Sequence, residues 1–182
     1  MKKLIVIAFL CGALAAGAQQ TRRIRTHAAA NPADDRRPNS DMIPAVEVFR
    51  AQIQHVVILR FKYSTDLLAG LQQAIKDQGI RNAVILSGFG SVRNYQVHTV
   101  ANRNLPPKDM LIKDRTAAAD IVSMSGMVMN GRLHPHITLA NPQHAFGGHL
   151  EPGTNVFTFA VVTLGVLNDD LDLTKLDDWN ER

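Results

Sequence analysis

The stretch GRLHPHITLANPQHAFGGHL, Gly131 to Leu150, holds four of the chain's seven histidines in twenty residues. It follows Asn130, and Asn-Gly between alternating apolar runs is a strong hairpin signal. Arg132 to Ala140 then reads as a strand, in which residues two apart point to the same face, so His134 and His136 present paired imidazoles. His149 follows Gly147-Gly148, whose missing β-carbons would let the backbone turn sharply and come close to its neighbours. His144 reads as a loop residue. Three neutral imidazoles with an open fourth position suit a divalent metal, zinc above all.

Upstream, Asp120 to Asn130 has strand character, and Met124, Met127 and Met129 are expected to fill the core. Asn102 to Ala118, with Pro106-Pro107, reads as a surface loop with one short strand. Arg93 to Val100 alternates as a strand that carries His98, an accessory ligand candidate at most. Arg81 to Leu86 is another strand, and Ser87 to Ser91 between the two reads as a tight turn. The Gly88-Phe89-Gly90 sequence there lacks the rest of a dinucleotide-binding fingerprint.

Before it, Leu67, Leu68, Leu71, Ala74 and Ile75 form the apolar stripe of an amphipathic helix. Ser64-Thr65-Asp66 supplies N-cap chemistry and Gly79 a stop. Gln54 to Lys62 reads as a strand with His55, Val57, Leu59 and Phe61 on one face. Downstream, Glu151-Pro152-Gly153 makes a turn. Asn155 to Leu167, NVFTFAVVTLGVL, is apolar on nearly both faces, as expected of a central strand or a subunit interface.

The ends differ from this middle. Met1 to Ala18 has two lysines, an apolar run from Leu4 to Leu14 and small residues at its end, the form of a secretory signal peptide cleaved after Ala18. The run is shorter than the ~20 residues that span a bilayer, so no membrane span is expected after cleavage. Lys2, Lys3 and the only cysteine, Cys11, would leave with it. Lys plus Arg then falls from 20 to 18 against 16 acidic residues, a formal +2, too weak a balance to indicate nucleic acid. Without cysteine there is no disulfide and no thiolate ligand. Residues 19–44 read as a flexible basic leader in which His27 is a solvated bystander. Residues 168–182 read as a solvated acidic tail, pinned by Leu171, Leu173, Leu176 and Trp179.

The pieces Ile80 to Val92 (IRNAVILSGFGSV), Ile121 to Gly126, Leu133-His134-Pro135-His136-Ile137 and Gly147-Gly148-His149-Leu150, in this order, resemble the plants-and-prokaryotes-conserved (PPC) domain. It occurs alone in prokaryotes and joined to AT-hooks in plants. The resemblance covers about Gln54 to Leu167. It implies an α+β fold, a largely antiparallel sheet with one or two packed helices, in a single domain over residues 45–167 that assembles as a homotrimer. It also implies divalent-metal binding, with zinc expected, at His134, His136 and His149. Two departures stand out: Asn141-Pro142 replaces an acidic residue, and Pro135 lies between the histidines, where proline calls for an edge position or a bulge.

The chain is therefore expected to be a periplasmic or secreted binding module for an unidentified small ligand. A metal-dependent hydrolase is the alternative, for which Glu151 and Asp120 are the nearest candidate bases. DNA binding, suggested by the plant relatives, ranks below both, because the AT-hook is missing and export would separate the chain from chromosomal DNA.

Overall fold

The computed structural model describes residues 20–27 and 43–178. The expected signal peptide, most of the leader and Trp179 lie outside these. Among the described residues there are eight strands and one α-helix, all strands joining one antiparallel sheet. No helix among them is long and apolar enough to cross a membrane.

The helix forms where its stripe and caps predict. In α1 (Leu67–Asp77) the N-cap Asp66 side chain accepts a hydrogen bond from the Ala69 N–H, and Gly79 ends the turn at a φ of 63°. Leu67, Leu68, Leu71 and Ile75 are buried. The helix packs on β2 (Ile53–Lys62) and β8 (Asn155–Leu167). β8 is the central strand its composition calls for, paired with β2 on one side and β3 (Ala83–Val100) on the other.

β3 is the hub of the sheet. It runs unbroken for 18 residues, so the turn expected at Ser87 to Ser91 does not exist. Phe89 pairs with Val161 and Gly90 with Ala160, and register shifts near Ile85, Gly90 and Val92 bend the strand instead of reversing it. Gly90, at a φ of 138°, packs so tightly on β8 that a β-carbon would strike the Phe159 carbonyl oxygen. The local turn signal loses to cross-strand pairing, because a glycine that permits a turn equally permits a bulge and close backbone approach.

The bend lets β3 pair in succession with β5 (Ala119–Met129), β4 (Lys108–Asp114) and β7 (Ala145–Leu150). β6 (Arg132–Ala140) lies between β5 and β7, which closes β3, β5, β6 and β7 into a ring. The β5–β6 hairpin turns at Asn130 and Gly131, with φ of 49° and 80°, the left-handed pair that a tight hairpin requires. Pro135 pairs with Gly126 and precedes the β7 ladder, which starts at His136, so β7 makes no demand on its missing N–H.

The N-terminal end departs from expectation. Thr21–Thr26, placed by sequence in a flexible leader, is β1, antiparallel to β4 from Thr21↔Lys113 to Thr26↔Lys108. Its residues are all exposed and it carries no apolar alternation, so backbone pairing to an open edge forms it. The acidic tail is held at its leucines, as their apolar side chains predict. Leu173 is buried, and the fully buried Asn82 donates to the Leu171 carbonyl while accepting from the Asn130 N–H. The tail is thereby tied to the hairpin that leads into β6.

Candidate metal centre

Strand register brings the histidines together. His98 on β3 pairs with His149 on β7, and His149 pairs with His136 on β6, a row across three adjacent strands. Directly opposed residues in such a row have β-carbons about 5 Å apart. His134 adds a fourth ring. The rings of His98 and His149 stack at 4.6 Å, those of His134 and His136 stack at 5.3 Å, and His149 meets His134 edge-on at 4.9 Å and His136 at 5.6 Å. The three histidines named from sequence are thus neighbours, with His149 central.

Gly147 and Gly148 bring about this convergence by close approach rather than by a turn; both lie inside β7. A β-carbon on Gly147 would meet the Ile137 carbonyl oxygen, and one on Gly148 the His98 carbonyl oxygen. Short glycine backbone lets β7 sit tightly between β6 and β3.

Carboxylates surround the rings. Glu151 Oε1 is 2.5 Å from His98 Nδ1, Asp109 Oδ2 is 3.6 Å from His98 Nε2, and Asp177 Oδ2 is 3.0 Å from His134 Nδ1. Asp177, from the tail, also pairs with Arg132. By accepting from the Nδ1–H of His134 it leaves Nε2 as that ring's lone-pair nitrogen, 3.3 Å from His136 Nε2. Carboxylate-oriented imidazole is the usual setting of a metal-bound histidine. His149 Nδ1 is buried and has no hydrogen-bond partner among the described residues, an orphan that a metal would satisfy. Imidazole and carboxylate donors of this kind suit a divalent ion. Among the described residues, the group whose donor atoms all lie within 4.8 Å of one another is His98, His149 and Glu151, which shares His149 with the three histidines expected from sequence.

Asp109, Asp177, Arg25 and His27 are not expected at the site from sequence, and His98 takes a larger part than that of an accessory candidate. The place of His98 follows from its register against His149, which depends on the β3 bend. Asp109 lies in the predicted loop. Arg25 and His27 belong to the predicted leader, yet His27 pairs with Asp109 and so is no bystander. With His98, Asp109, His134 and His149 they line a cleft of about 320 Å³ over the rings. Asp120, one candidate base, is exposed and lines a separate groove with Ser91 and Asn141; Glu151, the other, lies at the site.

Burial pushes the His149 imidazole down to about 4, helped by His98 and His134, and lowers His136 in the same way. Both rings are then neutral near pH 7, the form that binds metal. Burial alone would raise the Asp109 carboxyl, but hydrogen bonds with His27 and Arg25 hold it below the ordinary range. For the metal-free chain, a ring that titrates lower when folded than the ~6.5 of an unfolded histidine binds fewer protons folded than unfolded between those values. Stability is expected to be full above about pH 6.5 and to fall as pH drops towards 4, visible as a declining Tm in chelator-treated protein. A flat profile would show that burial of His149 does not disfavour its charged form.

Residues 49–168 match the family described as the Plants and Prokaryotes Conserved (PCC) domain. Among solved structures, the chain is similar to a metal-containing protein of Archaeoglobus fulgidus, at 25% identity and a TM-score of 0.55 over 66% of this chain and 86% of that one. It is also similar to a plant- and prokaryote-conserved protein of Pyrococcus horikoshii, at 19% identity and a TM-score of 0.54 over 68% and 85%. A candidate DNA-binding protein of Bacteroides thetaiotaomicron shares the fold at 20% identity and a TM-score of 0.52 over 63% and 80%. Two curated relatives, the bifunctional protein GlmU of two Synechococcus strains, are 28% and 27% identical over 107 residues. That is 58% of this chain, which spans only 16% of the length of those proteins.

Proposed function

The chain belongs to the Plants and Prokaryotes Conserved domain family, and from that premise we propose that it is an exported, trimeric binding module whose His134, His136 and His149 hold a divalent metal. The observation that carries this reading is the central position of His149, buried and unsatisfied at Nδ1, between rings on two neighbouring strands. Imidazole donors without thiolate make zinc the first expectation. A bound zinc would supply Lewis acidity in the cleft, where it would capture a small ligand with an oxygen or nitrogen donor. The chain's own residues do the holding: Asp177 orients His134, and the two β7 glycines keep His149 close.

Self-association is supported by an apolar outer face. Val56 and Ile58 on β2, Phe157 and Phe159 on β8 and Phe89 on β3 are exposed, and Phe89 meets Phe159 edge-on at 6.3 Å. Contiguous apolar surface of this kind on a soluble chain marks an interface. Metal analysis of the purified mature chain is expected to return about one zinc per chain, and light scattering three times the chain mass. Metal-free wild type would sink the first half of the reading, and monomer mass at micromolar concentration the second.

The runner-up is a metal-dependent hydrolase, favoured by His98 and Glu151, an imidazole–carboxylate pair at the cleft of the kind that moves protons. Metal-dependent turnover in a screen of esters, phosphates and lactones would put it first. DNA binding rests on the designation of a neighbour whose 20% identity speaks to fold alone. Affinity for duplex that falls steeply with salt would be needed to revive it.

A further inference from the structure

One atom of β1 holds an unusual position. Arg25 Nη2 lies 3.0 Å from Asp109 Oδ2, 3.3 Å from Glu151 Oε1 and 3.4 Å from His98 Nδ1. Three side chains from three separate parts of the chain, two carboxylates and an imidazole, thus converge on a single cationic nitrogen. A hard or borderline divalent cation takes the same donor set, carboxylate oxygens with an imidazole nitrogen. The surroundings also suit an ion: His149 lies within 4.8 Å of the His98 and Glu151 donors, and His27 pairs with the same Asp109 oxygen.

We propose that His98, Asp109 and Glu151 form a second divalent-cation position, distinct from the His134–His136–His149 position, and that Arg25 fills it as a tethered cation. The argument is first one of charge. Asp109 and Glu151 are brought to a common point beside His98, where two carboxylates without a cation would repel each other. Arg25 supplies that charge, and its own proton is held more tightly through its hydrogen bond to Asp109. The second argument is one of placement. β1 lies outside residues 49–168, so the cation is brought by a segment beyond the family domain, while the three donors lie within it. The strand that carries Arg25 is exposed along its length and attached at the β4 edge, as a removable stopper would be.

A tethered group competes at an effective concentration in the millimolar range, so taking its charge away should strengthen metal binding by orders of magnitude. The test uses the full mature chain titrated with Zn2+ alone, with bound ions counted by native mass spectrometry. Arg25→Gln is expected to take one zinc more than wild type, at about 100-fold lower free zinc than wild type needs for the same extra ion. Arg25→Lys, which keeps a cation on the strand, should behave as wild type. Adding Glu151→Gln to Arg25→Gln should remove the extra ion, whereas adding His134→Ala should not. The extra ion should also raise the Tm of Arg25→Gln with zinc by several degrees more than that of wild type, a readout that survives any loss of stability from the substitution itself.

Equal zinc counts in wild type, Arg25→Gln and Arg25→Lys would overturn the proposal. So would an extra ion that persists after Glu151→Gln. Failure of the His134–His136–His149 reading looks different: wild type would carry no zinc and Arg25→Gln a single one, lost with Glu151→Gln.

Discussion

His149→Ala is expected to abolish metal retention, with affinity falling at least ~1,000-fold, about 4 kcal/mol at roughly 1.4 kcal/mol per decade. Its ring touches each of the other three: stacked on His98, edge-on to His134 and to His136. Its Nδ1 is the one ring nitrogen of the row that is buried without a partner among the described residues. Removing it takes a ligand and also the ring that joins His98 to the His134–His136 pair. The fold should tolerate the loss, since the backbone pairing of β7 with β6 and β3 does not depend on the ring. Competition against a chromophoric chelator measures the effect. His144→Ala is the control, because His144 stands in the loop before β7 and should leave affinity unchanged. Equal loss in both variants would point to a general structural effect, and no loss in His149→Ala would remove it from the ligand set.

Gly148→Ala is expected to cost roughly 2 to 4 kcal/mol of stability, through backbone strain and steric overlap together. Gly148 has a φ of 156°, and its β-carbon would collide with the His98 carbonyl oxygen and lie 2.9 Å from the Thr99 side chain. These are atoms of β3, so relief requires β7 to move away from β3 at the point where His98 and His149 pair. Metal binding should therefore weaken along with stability, although no ligand has been altered. Chemical denaturation of the chelated protein isolates the first effect, and the chelator competition isolates the second. Wild-type stability would mean that the seam is slack, and that the glycine serves no close approach.

The two outcomes bear on how the site is encoded. His134 and His136 were legible because a strand's period of two is a local property, and Arg132–Ala140 is the strand the pattern calls for. The helix was legible for the same reason, with its stripe, N-cap and glycine stop all within one short stretch. His149 was reachable through its glycines, although their work is close packing rather than turning.

His98 shows where local reading stops. Its alternation on β3 was plain, but its place in the histidine row depends on register with β7, set by the bends near Gly90 and Val92. A glycine pair at 88 and 90 reads locally as a turn, and only the partner strand β8 turns it into a bend. Arg25, His27 and Asp177 are further cases. Each sits in a segment with no apolar periodicity, whose position comes from pairing to an edge strand or from a single buried leucine.

By itself, then, the sequence determined α1, β2, β5, β6 and β8 and the paired imidazoles of β6, which follow from short-range period, capping and turn chemistry, while the family followed from the resemblance of its motifs. Tertiary structure alone decided which strands face which. It thereby set the fourth histidine, the carboxylates around the rings and the guanidinium at their focus. The physical reason is that side-chain period is a property of one strand, whereas register is a property of two, and the residues that set it lie far apart in the chain.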